Sequence, residues 1–128
     1  MNIPDELYYT KEHEWIRVEG QTATVGITDH AQEQLGDITY VELPEPGTAV
    51  SQNGELATVE SVKAASDVYS PVAGTISSVN EALEDAPERI NSDPYGTGWL
   101  CTLSGITEDQ LSALMNAAEY GAFVAQEE

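Results

Sequence analysis

Basic residues are scarce in this chain of 128 residues, which has four Lys and Arg against 23 Asp and Glu and a formal net charge of −19. Like-charge repulsion makes nucleic acids and anionic membranes poor partners for so acidic a protein. No apolar stretch approaches the length needed to cross a bilayer. The first residues carry neither a secretion signal nor an Arg-rich transit segment, so we expect a cytoplasmic protein without membrane partners.

Cysteine is also nearly absent. Cys101 is the only one, which excludes an intramolecular disulfide. It lies in a predicted strand at 99–103, and a cysteine in such a setting is usually a small buried residue. A nucleophilic role would require a histidine beside it, and the sequence does not place His13 or His30 there.

The motifs of common catalytic and metal sites are missing as well. The chain has no Asp-x-Asp-x-Asp-Gly calcium loop, no Gly-x-Ser-x-Gly nucleophile elbow, no phosphate loop and no cysteines or histidines at zinc-ligand spacing. We therefore predict no metal site, no catalytic residue and no hydrolytic activity. His13 and His30 are assigned structural roles.

Short β-strands bounded by turn residues dominate what is present. Thr22–Ile27 alternates apolar and polar residues, and Gly20-Gln21 would turn it back onto a partner strand at Glu14–Glu19. Asn53-Gly54 marks a tight turn. Further strands are predicted at 38–43, at 48–50, on both sides of Lys63, at 75–79 and at 99–103. The spacing predicts one mostly β domain over 1–128, a sandwich or flattened barrel.

Helices are predicted at three places. Asp29 would cap a helix that runs to residue 35 and stops at Gly36, and 80–86 reads as a short helix. Thr107 and Gln110 form a capping box for a C-terminal helix, which Gly121 would end. Between the last two helices, residues 90–98 are predicted to form a loop.

Lys63 is the most informative single residue. It is one of two lysines in the chain, and β-forming residues flank it on both sides, so it is predicted at a hairpin tip. A side chain with four methylenes and a terminal amine is a natural anchor for a swinging cofactor. The alternative is a lysine that only keeps a turn soluble.

The segment around Lys63 closely resembles the lipoyl-attachment segment of glycine cleavage H-proteins. It reads Glu-Ser-Val-Lys-Ala-Ala-Ser-Asp at 60–67, followed by Ser-Pro-Val-Ala-Gly at 70–74. Segments similar to this family also occur, in family order, at 9–15, 25–32, 41–44 and 91–99. Val62 and Ala64 flank the lysine as in H-proteins, whereas biotin carriers place methionines there and other lipoyl domains place an aspartate before it.

The resemblance implies a fold and a cofactor. The expected fold is a mostly β barrel-sandwich hybrid with short helices and a C-terminal α-helix on the outside. The expected cofactor is lipoate, joined to Lys63 by an amide. Glu60 and Gly74 would help present the turn to the lipoyl-attaching enzyme, Gly74 by a backbone course closed to other residues. Glu14 and Asp67 would lie near the groove in which the arm docks.

The resemblance also implies partners. A pyridoxal-phosphate glycine decarboxylase would load an aminomethyl group, a tetrahydrofolate-dependent aminomethyltransferase would remove it, and dihydrolipoyl dehydrogenase would reoxidise the arm. The chain would be a non-catalytic carrier that visits all three. The alternative is an unlipoylated or lipoyl-relay module with the same fold and the same Lys63, which donates lipoate to other enzymes.

Overall fold

The computed structural model describes residues 2–127, in which nine strands form two antiparallel sheets. The predicted domain of 1–128 also includes Met1 and Glu128, which lie outside the described residues. The strands are β1 (Tyr8–Tyr9), β2 (Glu14–Glu19), β3 (Thr22–Ile27), β4 (Ile38–Glu42), β5 (Ala49–Val50), β6 (Glu55–Ser61), β7 (Ala65–Tyr69), β8 (Gly74–Val79) and β9 (Cys101–Ser104). The predicted sandwich with its short strands is confirmed.

One sheet has six strands in the order β1-β2-β3-β9-β8-β5, and the other has three in the order β4-β6-β7. The predicted β2–β3 hairpin is present, closed by the pair Glu19 and Thr22, and Gly20 takes the positive φ of 63° that its turn requires. Lys63 lies at the turn between β6 and β7, so it projects from the end of the smaller sheet.

The first helix, α1 (Asp29–Leu35), is where the sequence places it, but its cap is different. Thr28 is the N-cap, because its hydroxyl accepts the backbone N–H of Ala31 at 3.2 Å. Asp29 is the first helical residue, and its side chain accepts a hydrogen bond from Gln32 at 2.7 Å. Gly36 ends the helix at a φ of 79°, as predicted.

The C-terminal helix differs most from its prediction. The sequence predicts one helix that starts near Thr107, whereas the structure has a 3₁₀ helix (Glu108–Ala113) and then a separate α4 (Ala117–Glu127). The break has a physical cause: Met115 exchanges both backbone hydrogen bonds with Tyr9 of β1, at 2.8 and 2.9 Å. Gly121 lies inside α4 and does not end it.

The predicted Thr107–Gln110 capping box does not form, because the Thr107 side chain caps no backbone N–H and Gln110 bonds to Ala73. A capping box starts α4 instead. Asn116 and Glu119 each accept the other's backbone N–H through their side chains, at 2.8 and 3.0 Å. Two further short helices are α2 (Ala82–Asp85), within the predicted range, and α3 (Arg89–Ser92), which occupies part of the predicted 90–98 loop. The last strand starts at Cys101 instead of 99.

Buried apolar side chains form two clusters. The larger fills the space between the sheets, and Cys101 belongs to it as the sequence predicts. The smaller, called the aromatic cluster here, lies beneath α4 and consists of Leu7, Tyr9, Trp15, Tyr95, Tyr120 and Val124. Tyr9 and Tyr120 stack in it with ring centroids 4.6 Å apart. Across residues 2–127, no helix combines the length and apolar character that a bilayer crossing demands.

Candidate functional site

Lys63 lies in a two-residue turn that Ser61 organises. The backbone N–H of Ser61 donates to the Ala64 carbonyl at 2.8 Å and closes the hairpin, which leaves Val62 and Lys63 at the tip. The Ser61 hydroxyl oxygen accepts the N–H groups of Lys63 and Ala64, both at 3.2 Å. We call residues 61–64 the Lys63 tip.

The backbone of the Lys63 tip is unusual for so short a hairpin. Two-residue hairpin turns generally need positive φ values, yet neither Val62 nor Lys63 has one. The Ser61 hydroxyl compensates, because it satisfies two backbone donors that the turn would otherwise leave open. Serine two residues before the lysine is therefore the local reason that this turn can carry an exposed lysine.

The Lys63 side chain extends over the C-terminal end of α1. Its Nζ donates to the Gln34 carbonyl at 3.4 Å, and the partial negative charge of the helix end favours the ammonium there. A Cβ on Gly36 would lie 3.2 Å from Lys63 Cε, so the glycine leaves room for the aliphatic stem. The sequence did not reveal this contact. Its one signal is Gly36, which marks the end of α1 and thus the place where the last backbone carbonyls of the helix lack partners within the helix.

The surroundings of the tip are open and acidic. Two large hydrophobic side chains are exposed there, Val62 at 69% and Tyr40 at 51%. Glu60 is exposed and pairs across the hairpin with Ala65, next to the turn. Asp67, exposed on β7, accepts a hydrogen bond from the Thr58 hydroxyl at 3.3 Å. A partner enzyme could therefore approach the tip from several sides.

Glu14 is the most perturbed carboxyl group in this region. It is only 3% exposed, and it accepts hydrogen bonds from the Thr10 hydroxyl at 2.7 Å and from the Tyr69 backbone N–H at 3.1 Å. Burial disfavours its charged form and raises its pKa to about 7, against the opposing effect of both hydrogen bonds. Glu14 therefore changes charge near neutral pH.

The edge of β7 connects the Lys63 tip with Glu14. β7 is the outer strand of the smaller sheet, and its Tyr69 N–H donates to the carboxylate of Glu14, which belongs to the other sheet. Asp67 and Tyr69 project from the same face of β7, since side chains alternate along a strand. A shallow crevice lined by Glu12, Asn53 and Tyr69 opens beside this contact. Of the predicted site residues, Lys63, Asp67 and Glu14 thus lie along one edge.

Gly74 lies away from the Lys63 tip, and it is crowding, not a special backbone angle, that closes its position to other residues. It starts β8 of the six-stranded sheet, and it does not have a positive φ. A Cβ at this position would lie 2.8 Å from the Ser104 carbonyl oxygen. The glycine is required by close packing of β8 on the chain around Ser104, and not by an unusual backbone course.

Cys101 and the two histidines were assigned structural roles. Cys101 is fully buried, and burial raises the pKa of its thiol to about 12, so it does not supply a thiolate. His13 and His30, which are distant in sequence, lie with their rings 4.5 Å apart. Tyr95 ties its loop to the N-terminal segment and to α1, since its hydroxyl donates to the Asn2 carbonyl and accepts the Asp29 N–H.

Comparisons with known proteins all point to one family, and the matches cover nearly the whole chain. The family described as Glycine cleavage H-protein matches residues 7–127. A Glycine cleavage system H protein of Psychrobacter sp. (strain PRwf-1) is 57% identical over 122 residues, which cover 94% of this chain and 97% of that protein. The Cronobacter sakazakii protein of the same description is 52% identical, with 98% of each chain covered.

A solved structure agrees with the sequence comparison. The crystal structure of a glycine cleavage system H protein from Mycobacterium marinum superposes with a TM-score of 0.86. It is 40% identical and covers 96% of this chain and 99% of its own.

Proposed function

The chain belongs to the glycine cleavage H-protein family, and from that premise we propose that Lys63 carries lipoate through an amide bond. Membership makes the protein the lipoylated carrier of the glycine cleavage system. Its task is to move the aminomethyl group of glycine between components of that system. The attachment residue, the path of the arm and the enzymes that receive it are the parts we propose.

The Lys63 tip fits such an attachment. An amide requires a primary amine that an attaching enzyme can reach, and Lys63 is exposed at the end of a sheet. The one polar contact of the Lys63 amine within residues 2–127 is the long 3.4 Å hydrogen bond to the Gln34 carbonyl, which costs little to break. When bound, lipoate would supply a disulfide that is reduced as one sulfur takes up the aminomethyl group and that is left as a dithiol once the group departs. The protein supplies position and shelter.

The display of Lys63 on a rigid two-residue turn is the observation that carries this proposal. A lysine that only improved solubility would not need a turn held by two hydrogen bonds to one serine hydroxyl. The rigid turn fixes the root of a long arm, so that its far end samples a defined volume around the tip.

Mass spectrometry of the intact chain and its peptides tests the attachment. In cells supplied with lipoate, wild-type protein should gain one lipoyl amide on the peptide that contains Lys63, and Lys63→Arg should gain none. Lys11→Arg is the matched control because Lys11 is the other lysine, and it should be modified like wild type. A lipoyl group on Lys11, or on neither lysine, would contradict the proposal.

We propose three enzymes as recipients of the arm: the pyridoxal-phosphate glycine decarboxylase, the tetrahydrofolate-dependent aminomethyltransferase and dihydrolipoyl dehydrogenase. The chain would act on them as a single non-catalytic domain in the cytoplasm. Glycine-dependent exchange of labelled CO₂ by the decarboxylase should require lipoylated wild-type protein and disappear with Lys63→Arg. Full lipoylation without any exchange would favour the alternative of a lipoyl relay.

Recognition by the lipoyl-attaching enzyme is proposed to depend on Glu60. Its carboxylate is exposed three residues before the lysine and next to the turn. The structure gives Glu60 no folding role within residues 2–127 beyond its backbone, which pairs with Ala65 and accepts from the Thr39 hydroxyl. Gly74 contributes only indirectly, by allowing β8 to form.

The crevice along β7 is proposed to shelter the loaded arm. An aminomethyl group carries an amine that is cationic near neutrality, and carboxylates at the crevice would attract it. Glu14 is buried behind Tyr69, which lines the crevice, and it holds a proton up to about pH 7 when alone, whereas a nearby cation favours its ionised form. Glu14, Asp67 and, more weakly, Glu12 would therefore hold the amine and keep it from water.

Loss of formaldehyde from the loaded arm tests this shelter. Wild-type, Glu14→Gln and Asp67→Asn proteins would be loaded and then followed without the other enzymes. Both variants should release formaldehyde faster than wild type, while Glu19→Gln, at the exposed far end of the β2–β3 hairpin, should match wild type. Equal release rates in all four proteins would exclude the shelter and leave the carrier function intact.

A further inference from the structure

Three side chains that ligate metals meet at a place remote in sequence from one another. His13 precedes β2, His30 lies in the first turn of α1, and Glu127 is the last residue of α4. Each offers one ligand atom, and these atoms all lie within 4.8 Å of one another. The two histidines are the only ones in the chain. We call this group the His-His-Glu cluster.

The fold holds the first two members of the cluster rigidly. The Thr28 N–H donates to the His13 carbonyl at 3.0 Å, which ties the segment before β2 to the start of α1. His13 takes a positive φ of 68°, an uncommon backbone state for a residue other than glycine. The two imidazole rings consequently lie 4.5 Å apart, tilted by 43°.

Tyr120 brings the third member to the same place. Its hydroxyl lies 2.8 Å from His13 Nδ1 and 2.7 Å from Thr28 Oγ1, and its ring stacks on Tyr9. These contacts fix α4 at Tyr120. Glu127 follows Tyr120 by seven residues, two helical turns further on the same face. Its Oε2 is 3.1 Å from His13 Nε2.

His13 has the hydrogen bonding of a metal ligand. Histidines that bind metals usually donate the N–H of their other ring nitrogen to a protein acceptor, which fixes the tautomer. Tyr120 can be that acceptor for Nδ1 because its own hydroxyl hydrogen can turn to Thr28. The Thr28 and Tyr120 hydroxyls can also donate in the opposite direction, toward His13 Nδ1. His13 then carries its hydrogen on Nε2 and donates it to Glu127. The cluster can therefore exist with or without a cation.

We propose that His13, His30 and Glu127 bind one divalent transition cation of the zinc class, which clips α4 to the body of the protein. Two imidazoles and one carboxylate are a ligand set that zinc accepts, with water in the remaining position. Magnesium and calcium prefer oxygen ligands and are poorer candidates. Bonds of about 2.1 Å in a tetrahedron require ligand atoms about 3.4 Å apart.

The cluster can close to that spacing. The His13 and Glu127 side chains are 18% and 40% exposed, so both have room to move. The His13–Glu127 contact is already short enough, and the His30 ring, only 5% exposed, defines the fixed side of the site. Exposure of the other two ligands leaves an entry path for the ion and for water.

The charge of −19 means that cations will also associate weakly with carboxylates elsewhere, so the experiment must single out this site. Zinc would be titrated into the full chain, purified without reductant so that any lipoyl group stays a disulfide, in a background of excess magnesium. Cys101 does not compete because it is fully buried. ¹⁵N NMR of the imidazole nitrogens reports both histidines separately.

Both histidines should shift along one common titration curve that saturates at one zinc per chain. Glu127→Gln should weaken binding at least tenfold, whereas Glu19→Gln, which removes the same charge at the far end of the β2–β3 hairpin, should change it less than twofold. Zinc should also raise Tm for wild type more than for Glu127→Gln. Shifts confined to one histidine, no saturable shift, or equal affinity in Glu127→Gln and wild type would each overturn the proposal.

Discussion

The Lys63 tip and the aromatic cluster are built in opposite ways. At the tip, the hydrogen bonds made by Ser61 join residues no more than three positions apart, one longer-range bond ties the Val62 N–H to the Asp37 carbonyl at 3.1 Å, and the side chain that carries function is exposed. In the aromatic cluster, Trp15 donates to the Pro94 carbonyl, 79 residues away, and every member is almost entirely buried. The reactive residue thus depends on local structure, whereas the platform beneath α4 depends on distant segments.

This difference predicts different responses to substitution. A change at the tip should alter modification and leave the free energy of unfolding nearly unchanged, because few packed atoms are involved. A change beneath the aromatic cluster should lower stability and affect the carrier function only through unfolding. Glu14 connects the two regions, since it lies next to Trp15 and bonds to the strand that leaves the tip.

The largest expected loss of stability is for Gly26→Ala. Gly26 pairs with Trp15 across the β2–β3 hairpin, and a Cβ would lie 2.6 Å from the indole ring. Trp15 is fully buried and held by Pro94, so it has no room to yield. We expect a loss of about 3 kcal/mol, measured by chemical denaturation. A loss below about 1 kcal/mol would show that the cluster repacks easily.

Glu14→Gln should change how stability depends on pH. The folded state keeps the Glu14 proton up to about pH 7, whereas the unfolded chain releases it near the ordinary value of 4.5. The folded state therefore binds more protons between these values, and wild-type stability falls as pH rises through them, by up to about 3 kcal/mol from this group.

The variant has no such group, so its stability relative to wild type should increase from pH 4.5 to pH 8. Denaturation curves at several pH values measure the difference. Glu19→Gln, at the exposed far end of β2, controls for the loss of one acidic residue and should give a nearly constant difference. A constant difference for Glu14→Gln as well would show that the Glu14 pKa is ordinary.

Gly74→Asn tests whether Gly74 serves lipoylation, like the Lys63 tip, or stability, like the aromatic cluster. If Gly74 helps to present the turn, as the family resemblance implies, this substitution would impair lipoylation and leave the fold intact. The structure instead puts a Cβ 2.8 Å from the Ser104 carbonyl oxygen, so we expect a loss of about 2 kcal/mol from overpacking. Lipoylation per folded molecule should stay close to wild type. Full stability combined with slow lipoylation would restore Gly74 to the recognition site.

A smaller effect of opposite sign is expected for Gly121→Ala. Gly121 lies in the interior of α4, where a Cβ would meet only Ile3 Cδ1 at an ordinary 3.7 Å. Alanine is the better helix former, so stability should rise by about 0.5–1 kcal/mol in thermal or chemical denaturation. A decrease would mean that the helix ends at Gly121 in solution, as the sequence alone suggested.

The same contrast explains what the sequence could predict. The β2–β3 hairpin, α1 with its Gly36 stop, and the Lys63 turn were predictable because each is encoded by a few neighbouring residues. The 3₁₀ helix and the late start of α4 were not, because the pairing of Met115 with Tyr9 overrides a helical pattern. Local propensity is a weak guide wherever a distant strand competes for the same backbone.

The candidate site divides in the same way. Lys63 and Asp67 belong to one segment and could be proposed from it, but the position of Lys63 over Gln34 and the burial of Glu14 depend on how α1 and β2 pack. The His-His-Glu cluster gave no signal at all, because its members are spread from residue 13 to residue 127. The Asn116–Glu119 capping box, by contrast, was visible in the sequence and would have located the start of α4.

The smallest effect on stability is expected at the tip itself, for Glu60→Ala. Glu60 is exposed, and the structure shows no side-chain hydrogen bond for it within residues 2–127, so the free energy of unfolding should stay within about 0.5 kcal/mol of wild type. The rate of lipoylation by the attaching enzyme should nevertheless fall severalfold, because a charge next to the turn is lost. Glu55→Ala removes an equally exposed carboxylate from the other end of β6 and should be lipoylated at the wild-type rate. If both variants slow lipoylation equally, the enzyme senses overall charge, and if neither does, it recognises the shape of the Lys63 tip alone.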